Sequence, residues 1–392
     1  MRPARRISEL PPYLFADIMQ RKREAIARGI DVIDLGAGVP DLPTPPHILA
    51  ALHEAAEDPE THRYPPYEGY ASFKEAVVRY YASRFGVELD PRKEVMALIG
   101  SKEGIVNLFY AFIDPGDLAL LPDPGYPAYA TATRLALGEP YPMPLSPENG
   151  WFPDVESLPA EVIAKAKLLF INYPNNPTGA IANRADFERL IAWARRHGIL
   201  VAHDLAYAEI AFDGQVAPSI LEISGAKEVA IEFNSLSKTY NMGGWRIGMA
   251  VGCEEAIRAL GIVKSNTDTG VWGAIQRAAI AALEGPQDHL PGLRASYQER
   301  RDFMVEGLRS LGARIQPNPG AFYLWAPVPF GMTSAAFAER MLDEAGIVVP
   351  PGTAYGPSGE GYFRLALTQP RPRLAEALSR MRSAGFRFGQ QA

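Results

Sequence analysis

Short apolar runs, each followed by a cluster of polar residues, do most to limit what this chain can fold into. Val95 to Ile99, Leu118 to Leu121, Leu168 to Ile171, Ile199 to Ala202, Val229 to Phe233 and Ile247 to Val251 have strand length and lack polar alternation. Strands that read this way are buried on both faces, as in parallel sheets covered by helices. The stretches between them carry helical spacing, for example Ile105, Val106, Leu108, Phe109, Phe112 and Ile113, or Phe187, Leu190, Ile191 and Trp193 ending at Gly198 as a C-cap. The alternation predicts an α/β fold with one mostly parallel, doubly wound sheet sandwiched by helices. From about Leu290 the pattern changes to a long charged helix through Tyr297 to Leu308, then strand-like pieces at Phe322 to Trp325 and Phe363 to Leu367. A second, smaller α+β domain is expected there.

Charge and cysteine content narrow the partners. With 45 acidic against 39 basic side chains the chain lacks the basic surplus that neutralising nucleic-acid phosphates requires. A single cysteine, Cys253, excludes an internal disulfide and a four-thiolate zinc site, and a reducing, cytoplasmic compartment is expected. No export signal is read in the first residues, and no window approaches the roughly 18 apolar residues of a membrane span. His47 and His53 are six residues apart, about 600° around a helix, and so point to different faces. No catalytic metal is expected.

Open α/β sheets bind ligands beyond the carboxyl ends of their strands, so the polar clusters there carry the function. Gly100-Ser101-Lys102 opens a helix, whose free N–H groups and dipole make an anion site with Ser101 as N-cap. The turn lacks the P-loop spacing, and Gly36-Ala37-Gly38 does not complete a dinucleotide fingerprint. Lys238 follows a buried strand between Ser235-Leu236-Ser237 and Gly243-Gly244-Trp245-Arg246. A lysine desolvated there beside a cation such as Arg246 loses its proton readily and attacks carbonyls. Asp204 follows a wholly apolar strand, where a carboxylate needs a cationic partner such as a protonated pyridine nitrogen. Tyr207 and Asn176 are placed to donate to a ring oxygen, or else serve as loop scaffolding around Pro174 and Pro177.

Ser235-Leu236-Ser237-Lys238 with Arg246, preceded by Asn176-Pro177-Thr178-Gly179 and by Asp204 with Tyr207, resembles the class I/II aminotransferases of fold type I, which use pyridoxal 5'-phosphate. The resemblance runs essentially end to end. It implies a large cofactor domain over residues 46–288 and a small domain from 1–45 with 289–392. Lys238 then matches the lysine that carries the cofactor, Asp204 the partner of its pyridine nitrogen, and Asn176 and Tyr207 the partners of its ring hydroxyl. Ser101, Lys102 by its backbone, Ser235 and Arg246 match the phosphate cup, and Tyr126 the aromatic stacked on the ring. Gly38, Asn176 and Arg364 fall to the substrate, with Arg364 clamping its α-carboxylate. Tyr64 matches a tyrosine lent to the neighbouring subunit's phosphate, which implies a homodimer with active sites at the subunit interface. The implied partners are an amino acid and a 2-oxo acid.

Within the superfamily, Arg6 to Phe15, Gly100 to Ile105, Ser235 to Gly248 and Val263 to Val271 look most like the LL-diaminopimelate aminotransferases of lysine synthesis. Gly243 stands where threonine is expected, and Leu205 where an acid often follows the aspartate. Aminotransferases for aspartate, alanine or aromatic amino acids share this catalytic set, and β-lyases share the cofactor, so both stay open alternatives.

Overall fold

A computed structural model describes residues 2–8, 10 and 14–389; Glu9 and Pro11 to Tyr13, within the stretch Arg6 to Phe15, lie outside the described residues. Eleven strands are labelled in chain order: β1 (Ile33–Asp34), β2 (Val95–Leu98), β3 (Leu118–Asp123), β4 (Glu139–Pro144), β5 (Ala166–Asn172), β6 (Leu200–Asp204), β7 (Ala230–Ser235), β8 (Gly248–Gly252), β9 (Tyr323–Pro327), β10 (Ile347–Val348) and β11 (Tyr362–Ala366). Seven form one sheet in the order β2-β8-β7-β6-β5-β3-β4. The run from β7 to β4 is parallel, and β8 lies antiparallel to both β7 and β2. The expected mostly parallel α/β sheet is therefore present.

Alternation along the strands divides the interior between the two faces of the sheet. Leu169, Ile171 and Val201 enter one cluster with Phe73, Val77, Phe187 and Trp193, from helices Ala71–Phe85 and Arg184–His197. Leu168, Phe170, Ala202 and Phe233 enter the other with Leu108, Phe109 and Leu260, from helices Ser101–Phe112 and Glu254–Ser265. Phe109 stacks on Phe170 at 4.9 Å between ring centroids. Each such fully buried side chain contributes about 1.5–3 kcal/mol of transfer free energy. Gly198 closes its helix at φ 64, the left-handed cap expected of it.

Strand β4 has no counterpart among the predicted runs. Pro140, Pro142 and Pro144 break its apolar pattern, and they are tolerated because β4 is an edge strand with few ladder bonds to lose.

A separate core gathers around the antiparallel pair β9 and β11, under helices His289–Ser310, Ser334–Ala345 and Arg371–Ser383. Tyr297, Leu308, Phe322, Phe337 and Phe363 fill it, and it extends to Tyr207, Ile210 and Phe212 in the segment after β6. This second core thereby reaches the carboxyl edge of the main sheet.

Candidate active site

Strand register assembles the site. Asn172 is level with Asp204 across β5 and β6, Asp204 with Phe233 across β6 and β7, and Ser235, Gly248 and Leu98 are level across β7, β8 and β2. Because β8 runs against its neighbours, its amino end shares a rim with their carboxyl ends, and Arg246 arrives there. A cavity of about 600 Å³ opens on this rim, lined by Gly38, Ser101, Lys102, Tyr126, Asn176, Asp204, Tyr207, Ser235, Lys238, Arg246 and Arg364. Tyr64 does not line it; its side chain lies on the surface, 88% exposed.

One end of the cavity is formed where the chain turns into helix Ser101–Phe112. Gly100, not Ser101, is the N-cap: its φ of 73 turns the chain into the helix, and Ser101 becomes the first helical residue. Glycine also makes room, since a Cβ at Gly100 would lie 2.2 Å from Arg246 Nη2. Arg246 itself has a left-handed backbone (φ 57, ψ 57) and donates from Nη1 to the Gly243 carbonyl at 2.8 Å. A non-glycine residue held this way stores backbone strain of order 1–3 kcal/mol, which the neighbourhood must impose. The amino end of the helix, with the guanidinium beside it, makes an anion seat.

Lys238 lies in the turn of helix Leu236–Thr239 that follows β7, and its Nζ donates to the Gly38 carbonyl at 2.8 Å. Burial, then the Arg364 charge, then that of Arg246, lower its pKa to about 8. The sequence pointed to Arg246 as the neighbouring cation; Arg364, remote in sequence, has the larger effect.

Asp204 Oδ2 accepts from the Tyr129 hydroxyl at 2.8 Å. Its Oδ1 is buried without a hydrogen bond of good geometry among the described residues, and the Ala206 N–H nearby favours the charged form. Burial pushes this carboxyl above its ordinary range, against the pull of the Tyr129 hydroxyl. An acceptor left open in a dry site suits a cationic N–H donor facing it.

Asn176 closes the third side. Its backbone N–H donates to Asn172 Oδ1 at 2.7 Å, and its side-chain Oδ1 accepts from Arg364 Nη1 at 3.0 Å. Arg364 is 4% exposed; it projects from β11, donates from Nη2 to the Gly36 carbonyl, and lies 4.1 Å over the Tyr323 ring. Tyr207 and Tyr323 share a hydroxyl–hydroxyl bond of 3.0 Å. Gly38 meets Tyr323 so closely that a Cβ there would come within 1.8 Å of its hydroxyl oxygen.

Tyr129, Asn172 and Tyr323 belong to this site and were missed in the sequence. Tyr129 carried a signal, since it stands three residues after Tyr126 at the start of helix Ala128–Leu135. Among the described residues, no group of three or more His, Cys, Asp or Glu converges as a metal site, and no helix is long and apolar enough to cross a membrane.

Residues 30–381 match the family described as aminotransferase class I and II. The chain is 55% identical over 379 residues to an LL-diaminopimelate aminotransferase of Desulforudis audaxviator, covering 97% of each chain. It is 54% identical to one of Moorella thermoacetica, covering 97% of this chain and 98% of that one. Among solved structures, substrate-bound BacF from Bacillus subtilis superposes with a TM-score of 0.95 at 40% identity over the whole of both chains.

Proposed function

The chain belongs to the class I and II aminotransferases, enzymes dependent on pyridoxal 5'-phosphate, and from that premise we propose that it moves an amino group between LL-diaminopimelate and 2-oxoglutarate. The observation that carries the reaction is the convergence of the Lys238 amine, the open Asp204 oxygen and the Arg364 guanidinium on one cavity. Identity above one half over nearly the full chain supports the substrate.

When bound, pyridoxal phosphate supplies an aldehyde and an electron-withdrawing ring. Lys238 Nζ would hold that aldehyde, and the same buried amine would serve as the acid–base group for the substrate α-proton. Asp204 Oδ1 would take the pyridine nitrogen and favour its protonated form. Asn176, its carbonyl oxygen occupied by Arg364, has its amide N–H groups to offer the ring hydroxyl, together with Tyr207. Ser101, the Lys102 amide, Ser235 and Arg246 would hold the phosphate, and Tyr126 would cover the ring. Arg364 binds the α-carboxylate with its planar fork while Gly38 leaves room beside it.

The same proposal includes the division into residues 46–288 and 1–45 with 289–392, a cytoplasmic address, and a homodimer in which Tyr64 reaches the neighbour's phosphate. The exposure of Tyr64 beside the Pro65-Pro66 turn supports that last point. Glutamate release from LL-diaminopimelate and 2-oxoglutarate, compared with aspartate, alanine and phenylalanine as donors, tests the substrate. An inert LL-diaminopimelate beside a fast alternative donor overturns it. Sedimentation of an active monomer overturns the dimer.

A further inference from the structure

On the far face of the sheet, directly behind the rim, an ionisable cluster is left idle by the proposed reaction. His203 and Glu232 are both 0% exposed and are level with each other across β6 and β7. Glu232 Oε1 accepts from the Tyr81 hydroxyl at 2.9 Å and the Ser219 hydroxyl at 2.8 Å. Its Oε2 accepts from the Ile220 N–H at 3.0 Å and lies 2.8 Å from His203 Nδ1. Donors thus fill both oxygens, an arrangement that suits the ionised carboxylate. The other ring nitrogen, His203 Nε2, lies 3.1 Å from the Tyr173 carbonyl oxygen. With an oxygen acceptor at each nitrogen, a neutral imidazole would set a lone pair against an oxygen in either tautomer.

We infer that His203 is held as an imidazolium against the Glu232 carboxylate, and that this pair is a positioning device for Asp204 and for the turn that bears Asn176. His203 immediately precedes Asp204 on β6, so the two side chains point to opposite faces of the sheet. Its Nε2–H reaches the carbonyl of Tyr173 and anchors, from behind, the turn running on through Asn176. Asn172 anchors the same turn from the front: its Nδ2 donates to the Asp204 carbonyl at 2.7 Å and its Oδ1 accepts from the Asn176 N–H. The spacing between Asp204 and Asn176 is thereby fixed from both faces. The groups that face the imidazole are Glu232 from β7, the Tyr173 carbonyl after β5, and the edge of the Phe187 ring, at 5.1 Å, from helix Arg184–His197. Tyr81, from helix Ala71–Phe85, faces the carboxylate that holds it, and Asp204 lies one residue along the strand. A fixed cation so near Asp204 favours its carboxylate against burial.

The protonation of His203 stands independently of the proposed function, whereas the positioning role rests on it. The first is read by nitrogen-15 NMR of the full chain labelled at histidine, near neutral pH. Both ring nitrogens of His203 are expected to carry a directly bonded hydrogen, and a single N–H overturns the pair. His→Gln at each of His47, His53, His62, His197 and His289 assigns the signals by elimination and leaves His203 untouched. The second is read on Glu232→Gln, with Tyr81→Phe as the milder change. E232Q is expected to loosen pyridoxal phosphate about tenfold, because Asp204 loses a neighbouring cation that favours its carboxylate, and to lower kcat with the amino-acid KM unchanged. Y81F should stay within about twofold of wild type, since the carboxylate keeps its other donors. A folded E232Q that matches wild type in both cofactor affinity and kcat overturns the positioning role. A doubly protonated His203 in a protein that never captures pyridoxal phosphate would overturn the proposed function and leave the ion pair standing.

Discussion

One wall of the cavity is laid down by strand register and the other by side-chain packing. Asp204, Ser235 and Lys238 stand at or just past the ends of neighbouring parallel strands, where backbone ladders fix their spacing. Arg364, Tyr323 and Gly36 to Gly38 are held to one another by a guanidinium stacked on a phenol ring and meet that rim through single hydrogen bonds, Arg364 to Asn176, Tyr323 to Tyr207 and the Gly38 carbonyl to Lys238. A ladder resists displacement cooperatively, while stacked side chains yield one contact at a time. The first wall suits proton transfer, which tolerates little misplacement, and the second suits recognition of variable substrates.

Variants on the two walls should therefore fail in different ways. The largest effect is expected from Lys238→Ala, which removes the buried amine assigned to hold the aldehyde. Turnover should fall by about 10⁴-fold and the yellow, borohydride-reducible adduct should vanish; sustained multiple turnover would break the assignment. Asp204→Asn should follow, with kcat reduced on the order of 10²-fold while KM changes little, because the open oxygen that stabilises a pyridinium is lost. A KM effect without a kcat effect would move Asp204 to the recognition wall. Arg364→Lys keeps the charge but loses the fork, and should raise the amino-acid KM about 10- to 100-fold with kcat largely kept. Equal loss in kcat would show that the second wall takes part in the chemistry. The smallest effect concerns pH. With its pKa lowered to about 8, Lys238 is mostly protonated below that pH and mostly a free amine above it. Capture of pyridoxal phosphate by the apoenzyme should thus rise through about pH 8 and level off. In Arg364→Gln, which removes the larger neighbouring charge, the midpoint should move upward; a fixed midpoint would mean that the walls are not electrically coupled.

The same contrast explains what the sequence made legible. Strands buried on both faces declare themselves as unbroken apolar runs, and the polar clusters after them mark Lys238, Asp204, Asn176 and Ser101 without reference to any contact. β4 was hidden by its prolines. The N-cap was displaced by one residue because a serine at a helix start outranks a glycine on side-chain grounds, whereas the deciding factor was the positive φ of Gly100. Tyr129 and Tyr323 were not read as site residues because their partners, Asp204 and Tyr207, are 75 and 116 residues away. Arg364 emerged from the family resemblance, and its influence on Lys238 became visible only when the second core was folded against the sheet.

The alternation of His203 and Asp204 along β6 has a consequence for anyone who would edit or transplant this site. Inserting a single residue upstream in that strand would exchange their faces, turning an imidazole toward the cavity and driving a carboxylate toward the buried Glu232 carboxylate beneath. Grafts that copy only the visible active-site side chains onto a new scaffold would miss this parity; the transferable unit is the strand together with both of its neighbours.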